Sequence, residues 1–180
     1  PSLESNGQLE VEDVSLSSRA IERGLRALGT LGSGNHFLEL QSVEKLVDED
    51  TAKQWGLYEG QLLAMIHSGS RGLGHQVCSE HSRKFEQKYR RTTEGWYAEE
   101  YDFTLSDRQL ACAPIHSKEG QQYLQEMNAA ANFAFANRSA LAHRLRDVLR
   151  LEMGVDGEAR TLYDVAHNIA KIETHNIHGK

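Results

Sequence analysis

The chain has 180 residues, enough for one domain with a sizeable hydrophobic core and too few to argue for two. Its composition, 39% hydrophobic and 26% charged, is typical of a soluble globular protein, and no apolar run reaches the roughly 18 residues of a membrane-spanning helix. The polar, acidic start of the sequence lacks the basic region and apolar stretch of a signal peptide. A net charge of −6 does not indicate a nucleic-acid-binding protein, although a local groove can bind regardless of whole-chain charge.

The first predicted elements are a connector and a short helix. Residues 1–15 are polar and predict an irregular N-terminal connector. Residues 18–27 have helical spacing, with Ala20, Ile21 and Leu25 on one face.

Two glycine-rich loops and two strands come next. The pattern predicts, in order, a loop, a strand, a buried strand, a second loop and a helix at 29–35, 36–43, 61–66, 68–74 and 75–91. His36 follows the first loop, and His67 lies between the buried strand and the second loop. A loop before a helix N-terminus can present backbone N–H groups to an anion.

The C-terminal part predicts a long helix and then a strand. The helix spans 119–153, with an N-cap signal at Ser117 and an end at Gly154. Its candidate core positions are Leu124, Met127, Ala131, Phe135, Ala142, Leu145 and Leu149. Residues 161–175 alternate with strand period and place His167 mid-strand. Strands interspersed with long helices predict an α+β or α/β domain with a mixed sheet.

The cysteines and the basic residues leave the function open. Cys78 and Cys112 form neither a disulfide framework nor a Cys-x-x-Cys metal pair, so we expect a reducing, cytoplasmic environment. One basic cluster has the members Arg83, Lys84, Lys88, Arg90 and Arg91. It is either a solvated helix face or an edge that contacts the backbone of RNA or DNA.

Histidines carry the main chemical signal, because nine is a high number for this length. His36, His67 and His167 each lie on a predicted strand or beside a tight loop, where residues distant in sequence can converge. Neutral imidazole is a common protein ligand for zinc, manganese, iron and nickel. For each histidine alone, the alternative is a buried core residue with a satisfied hydrogen bond, since none belongs to a short-range metal motif.

The second glycine-rich loop, SGSRGLG, is suited to phosphate. Glycine lets the backbone approach a ligand closely, and Arg71 can grip a phosphate with two hydrogen bonds. The loop is neither a Walker loop nor a dinucleotide fingerprint, because both the residues and the glycine spacing differ. A metal site with phosphate-binding loops indicates phosphoryl or nucleotidyl transfer, or phosphoester hydrolysis.

Several stretches resemble the RtcB family of RNA ligases. They are LGTLGSGNHFLEL (28–40), MIHSGSRGLGHQV (65–77), DRQLACAPI with EGQQYL (107–124), AANFAFANR (130–138) and YDVAHNIAKIETH (163–175). The resemblance covers the chain from about Ser18 to its end. It implies an RtcB-like fold, with mixed β-sheets flanked by helices, in which residues 16–180 are the central portion of a single catalytic domain.

The resemblance also implies an activity. Members of this family are GTP- and manganese-dependent ligases that join an RNA 3′-phosphate or 2′,3′-cyclic phosphate to a 5′-hydroxyl in tRNA splicing and RNA repair. A histidine is first guanylylated, GMP passes to the RNA 3′-phosphate, and the 5′-hydroxyl then displaces GMP. This activation is chemically sensible, because a phosphate monoester is a poor electrophile without a leaving group. The implied partners are tRNA halves and other broken RNA, with a possible activating helper protein.

Position by position, the resemblance implies a two-ion site. His36 matches a ligand of one manganese ion, and His67 and His167 match ligands of its partner. Arg71 matches a residue that holds an RNA or nucleotide phosphate.

The implied nucleotide-binding positions surround two of these histidines. They are Asn35, His36, Phe37, Glu39, His167 and Asn168. Phe37 would pack on guanine, and Glu39 would accept hydrogen bonds from its N1 and N2 donors.

The sequence departs from the family pattern in three ways. It has no Asp-x-x-Cys-Gly motif, which carries the family's bridging cysteine, and no His-Gly-Ala-Gly-Arg motif, which carries the nucleophilic histidine. His178 is followed by Gly179 and Lys180, and comes too soon after His167 to replace that motif. His116 lies where an asparagine is expected.

We therefore expect a fold incomplete at both ends, with no catalytic nucleophile in this chain and an inactive isolated fragment. Two alternatives remain open at this point. One is a metal-dependent phosphoesterase that acts on RNA ends, and the other is a non-catalytic module that binds nucleotides or RNA ends.

Overall fold

A computed structural model of the chain describes residues 2–152, 154 and 159–177. Within these residues the α-helices are α1 Ser18–Leu25, α2 Glu49–Gln54, α3 Arg71–Lys88 and α4 Lys118–Glu152. The strands are β1 Ser2–Leu3, β2 Phe37–Ser42, β3 Leu62–His67, β4 Arg90–Arg91, β5 Trp96–Ala98, β6 Phe103–Leu105 and β7 Tyr163–Asp164. This mixture of helices and small sheets confirms the predicted α+β class.

The strands of the described residues pair in three small sheets. Strands β2 and β3 are antiparallel, and their register pairs Phe37 with His67. Strands β4, β5 and β6 form an antiparallel sheet in chain order, whereas β1 and β7, from opposite ends of the chain, pair in parallel. The β2–β3 register matters most, because it brings the residue after His36 directly opposite His67.

Helix α1 packs on α3 through small residues. It begins where the Ser17 hydroxyl accepts a hydrogen bond from the Ala20 N–H, which is an N-cap interaction. Ala20 and Gly24 are buried, whereas Ile21 and Leu25 are exposed. Of the three residues predicted to share one face, only Ala20 therefore lies in the core. Small side chains occupy that face because α3 approaches closely there.

The second glycine-rich loop is shorter than predicted. Helix α3 begins at Arg71 rather than at residue 75, so Leu73 lies in its first turn and is buried in the core with Val77. Burial of Leu73 stabilises the helical conformation over a segment whose glycines alone favour a loop. The helix ends at Lys88, and the chain continues as β4.

The long helix α4 has nearly the predicted bounds, but the residues that it buries differ from those predicted. The Ser117 hydroxyl accepts a hydrogen bond from the Gly120 N–H, which confirms the N-cap. Of the predicted core residues, Ala131 and Phe135 are buried, while the others are only partly so. The remaining buried positions are Gly120, Glu126, Ala130, Ala134, Asn137 and Leu141. The buried face thus includes polar residues, which a purely apolar pattern does not predict. The predicted last residue, Met153, lies outside the described residues.

The strand predicted over 161–175 was wrong for most of its length. Only Tyr163–Asp164 is a strand, and His167 lies in a bend. Among the described residues, strand β7 pairs with just the two residues of β1, so no strand pairing between them holds the chain beyond Asp164.

The N-terminal segment has β1 and a 3-10 helix at Glu4–Gly7, is irregular from there to Ser17, and is attached to the rest of the molecule. Besides the β1–β7 pair, Leu9 exchanges two hydrogen bonds with the amide side chain of Asn132 on α4. The domain boundary at residues 15 and 16 stays a prediction. No helix in the described parts of the chain is both long and apolar enough to cross a membrane.

Candidate functional site

The fold brings together the three histidines singled out in the sequence. His36 immediately precedes β2, His67 ends β3, and His167 lies in the bend after β7. The ring centroids of His36 and His67 are 5.7 Å apart, and those of His67 and His167 are 5.0 Å apart. Residues far apart in the chain therefore form one cluster, with His67 beside both of the others.

This spacing fits metal ions shared by pairs of histidines. Two imidazoles on one ion have ring centres about 4.5–6.5 Å apart, because each metal–nitrogen bond is about 2 Å long. Among the described residues, however, no three histidine, cysteine, aspartate or glutamate side chains are arranged to hold one ion. The three histidines fit as partial ligand sets that need further donors, and their roles as metal ligands stay predictions.

Arg71 lies against the first histidine of the cluster. Its Nη1 is 3.0 Å from Nδ1 of His36, and since a guanidinium can only donate, Nδ1 accepts. Burial, and then the positive charges of Arg71 and His67, lower the pKa of His36 below its ordinary value. The ring is therefore held in its neutral form, which is the form that binds metals. A metal on Nδ1 would have to displace the guanidinium.

The backbone around Arg71 is unusual in two places. Arg71 itself has a φ of 51°, in the left-handed region that disfavours residues with a Cβ. Gly32, with a φ of 111°, lies directly beneath the Arg71–His36 contact, and a Cβ there would overlap both side chains. The first glycine-rich loop therefore leaves the space in which guanidinium and imidazole meet. The Nε atom of Arg71 is buried without a hydrogen-bond partner among the described residues.

The predicted nucleotide-binding residues are distributed around this cluster. Phe37 packs edge-on against His67, with ring centroids 5.3 Å apart. Glu39 is exposed two positions further along β2, where it accepts a hydrogen bond from Gln41. Asn35 and Asn168 are exposed in the turn and bend that carry His36 and His167. The structure thus places Phe37 in the cluster and the other three at its edge, and their roles stay predictions.

Sequence reasoning missed Asn137, a completely buried residue of α4 that connects the two glycine-rich loops. Its Oδ1 accepts from the N–H groups of Gly29 and Thr30, at 2.7 and 3.2 Å. Its Nδ2 lies 3.1 Å from both Ser68 Oγ and the Gly69 carbonyl oxygen, and 3.2 Å from the Thr30 carbonyl oxygen. One amide thereby satisfies backbone groups of both loops.

The neighbouring Arg138 connects the second loop to the segment that carries His167. Its Nε donates to Oδ1 of Asp164 at 2.6 Å, and its Nη1 donates to the Ser68 carbonyl at 3.3 Å. Burial raises the pKa of Asp164 despite the opposing effect of the Arg138 cation. Both α4 residues lie within the stretch AANFAFANR that carries the family resemblance. That stretch was the only signal for them, because their partners are distant in sequence.

Glu4 holds the same segment from the other side. Its carboxylate accepts hydrogen bonds from the Ala166 N–H and the Lys171 ammonium, both at 2.6 Å. These hydrogen bonds, first that of Lys171, lower the pKa of Glu4. Ala166 immediately precedes His167, so the N-terminal segment contributes to placing the third histidine.

The basic cluster is not uniformly positive. Lys88 pairs with Glu100 and Glu119, and Arg90 lies 3.6 Å from Glu99. These carboxylates reduce the local positive charge and favour the interpretation as a solvated surface.

Other sequence candidates lie outside the histidine cluster. The two cysteines are free and exposed, and His116 is exposed before α4. His81 is a core histidine, bonded through Nε2 to the buried carboxylate of Glu126 at 3.0 Å. The alternative considered for each histidine, a buried and hydrogen-bonded core residue, thus describes His81.

Comparison with known proteins decides the family. A family model described as "tRNA-splicing ligase RtcB" matches residues 1–180. The chain belongs to the RtcB family. It is 46% identical to a tRNA-splicing ligase RtcB of Pyrococcus furiosus, over 99% of the chain and 18% of that protein. It is also 46% identical to the tRNA-splicing ligase RtcB of Thermococcus kodakarensis, over 99% of the chain and 36% of the relative. An RNA-splicing ligase RtcB of Mycobacterium bovis is 49% identical over 92% of the chain and 36% of its own length. The chain therefore spans only about a fifth to a third of these RtcB relatives.

Proposed function

We propose that this RtcB chain is part of an RNA ligase that joins 3′-phosphate or 2′,3′-cyclic phosphate ends of RNA to 5′-hydroxyl ends. The reaction uses GTP and manganese and proceeds through a GMP-histidine intermediate, in tRNA splicing and RNA repair. Family membership supports the reaction class. The observation that carries the proposal to this chain is the convergence of three histidines with an arginine at the end of a glycine-rich loop.

In this proposal the histidines hold the metal, with His36 on one ion and His67 and His167 on the other. Bound manganese would neutralise phosphate charge and orient an oxygen nucleophile. The low pKa of His36 favours this role, because the ring does not have to lose a proton first.

The surrounding residues bind the nucleotide and RNA phosphates. Arg71 turns from His36 to a phosphate oxygen, which its fork of donors suits. Phe37 provides an aromatic surface for guanine, and Glu39 accepts from the base's donor edge. Asn35 and Asn168 donate to nucleotide phosphates from the two ends of the cluster.

The decisive experiment incubates the full-length protein with radiolabelled GTP and manganese and looks for GMP linked to the protein. We expect a covalent adduct, and its absence would overturn the ligase proposal. His67→Ala should abolish the adduct, while His143→Ala should leave it unchanged, because His143 is an exposed residue of α4. An unaffected His67→Ala protein would contradict the metal-binding role of His67.

The same protein distinguishes the two alternatives. Manganese-dependent release of phosphate from RNA ends, without joining, would identify a phosphoesterase. Binding of GTP or RNA ends without any covalent adduct would identify a non-catalytic module.

A further inference from the structure

We propose that Asn137 and Arg138 are the positioning residues of the histidine cluster, which set its geometry from one turn of α4. This inference rests on the proposed function and deepens it. The two residues are adjacent in sequence, yet between them they contact all three segments that carry His36, His67 and His167.

Asn137 fixes the position of the two glycine-rich loops relative to each other. Its Oδ1 accepts from the N–H groups of Gly29 and Thr30, shortly before His36, and the two hydrogens of its Nδ2 are shared among Ser68 Oγ and the carbonyls of Gly69 and Thr30, so that the amide contacts the loop directly after His67 as well. The Ser68 hydroxyl in turn donates to the Leu31 carbonyl at 2.8 Å, which closes the link between the loops. Glycine-rich loops have little conformational preference of their own, so such a link is needed to hold them.

Arg138 fixes the position of His167 relative to His67. His167 has no strand of its own, so its position depends on what holds the chain on either side. On the N-terminal side these are the Glu4–Ala166 hydrogen bond and the Arg138–Asp164 pair. The Arg138 guanidinium also donates to the carbonyl of Ser68, the residue after His67, so that it alone of the two connects both histidine segments. Because the Arg138 side chain is only 12% exposed, water competes little for these hydrogen bonds. The rings of His67 and His167 are thus placed by one planar group.

Mutation of residues that orient metal ligands typically lowers metal affinity by about 10- to 100-fold. We therefore expect the manganese affinity of the full-length protein, followed by electron paramagnetic resonance, to fall at least about tenfold in Arg138→Ala and in Asn137→Ala. The matched control is Arg150→Ala, an exposed arginine on the same helix that pairs with Asp147, three residues before it. Its affinity should be that of the wild type.

A second measurement needs no metal. The nuclear Overhauser contact between the His67 and His167 rings should be present in the wild type and absent in Arg138→Ala, whose circular dichroism should stay native. Arg138→Lys, which keeps the charge but replaces the planar fork by a single ammonium group, should restore the contact in part. If Arg138→Ala unfolds, Arg138→Lys tests the positioning role alone. A His67–His167 contact weaker than in the wild type would support that role, and an unchanged contact would contradict it.

The two measurements test the two proposals separately. If the wild type binds no manganese, the metal site is contradicted, but the contact between the His67 and His167 rings still tests the positioning role. An unchanged ring contact and unchanged affinity in folded Arg138→Ala would overturn the inference.

Discussion

At the scale of single residues, the space beneath the Arg71–His36 contact depends on one glycine. Gly32→Ala would place a methyl group into both side chains at a φ that alanine disfavours. We expect this substitution to reduce the free energy of unfolding by about 2–3 kcal/mol, measured by urea denaturation.

Gly34→Ala is the matched control for this prediction. Gly34 also has a positive φ, but an added Cβ would meet nothing within 4 Å. It should cost only about 1 kcal/mol, from the backbone alone. Equal losses in the two variants would show that the contact above Gly32 is not tightly packed.

The residues of the site differ in how far the sequence could predict them. His36, His67 and Arg71 stand out locally, because each adjoins a glycine-rich loop. Asn137 and Arg138 do not, since their importance lies in partners more than 25 residues away. A buried asparagine in an alanine-rich helix follows no periodicity that marks it as central.

At the scale of elements, the closeness of α1 and α3 depends on Gly24. A Cβ at this position would lie 2.8 Å from Cδ1 and 3.3 Å from Cβ of Leu73. Alanine would gain about 1 kcal/mol of helix propensity, but forcing the helices apart costs about 1–3 kcal/mol. We expect Gly24→Ala to destabilise the protein in thermal and urea unfolding.

A double-mutant cycle tests this explanation. Leu73→Ala alone should cost about 2–4 kcal/mol by leaving a cavity in the core, but adding Gly24→Ala to it should then cost nothing further or stabilise slightly. Additive losses would contradict a clash between these two residues.

Folding stability should depend on pH through Glu4, whose carboxylate bonds the chain just after the β1–β7 pair. Its pKa is lowered in the folded protein, chiefly by the hydrogen bond from Lys171 and then by that from the Ala166 N–H. A lowered carboxyl pKa contributes stability above the unfolded-chain value of 4.5, and this contribution is lost as the pH falls through the lower folded-state value. Glu4→Gln should therefore be less stable than the wild type at pH 7, and this difference should shrink as the pH falls through the lowered folded-state pKa of Glu4.

The measurement is urea unfolding of both proteins across this pH range. Glu10→Gln, an exposed change in the same segment, is the control and should differ little from the wild type throughout this range. A Glu4→Gln deficit that does not shrink at all as the pH falls below 4.5 would show that the carboxylate charge is not its cause.

The elements also show why part of the fold was not predictable. Helices α1, α3 and α4 were located correctly to within a few residues, because helix propensity and caps are local. Their buried faces were partly wrong, since close packing at Gly24 and Leu73 reverses which residues face the core. The alternating pattern around His167 predicts a strand, but a strand needs a partner, and in the described part of the chain β1 supplies only two residues.

At the scale of the whole molecule, the candidate site is assembled from segments that are distant in the chain. His36 and His167 both adjoin His67 only because the β2–β3 register and the contacts of α4 place them there. In the unfolded chain these histidines are far apart. Manganese ions that bind these histidines should therefore bind the folded state alone and stabilise it by mass action.

Manganese should accordingly raise the midpoint of thermal unfolding. At a free ion concentration about 100 times the dissociation constant, the gain is about 2.7 kcal/mol. His67→Ala, which removes the ring shared by both pairs, should lose most of this gain, whereas His143→Ala should keep it. If manganese stabilises the His67→Ala protein as much as the wild type, the ion binds elsewhere, and the proposed metal-binding role of the three histidines is contradicted.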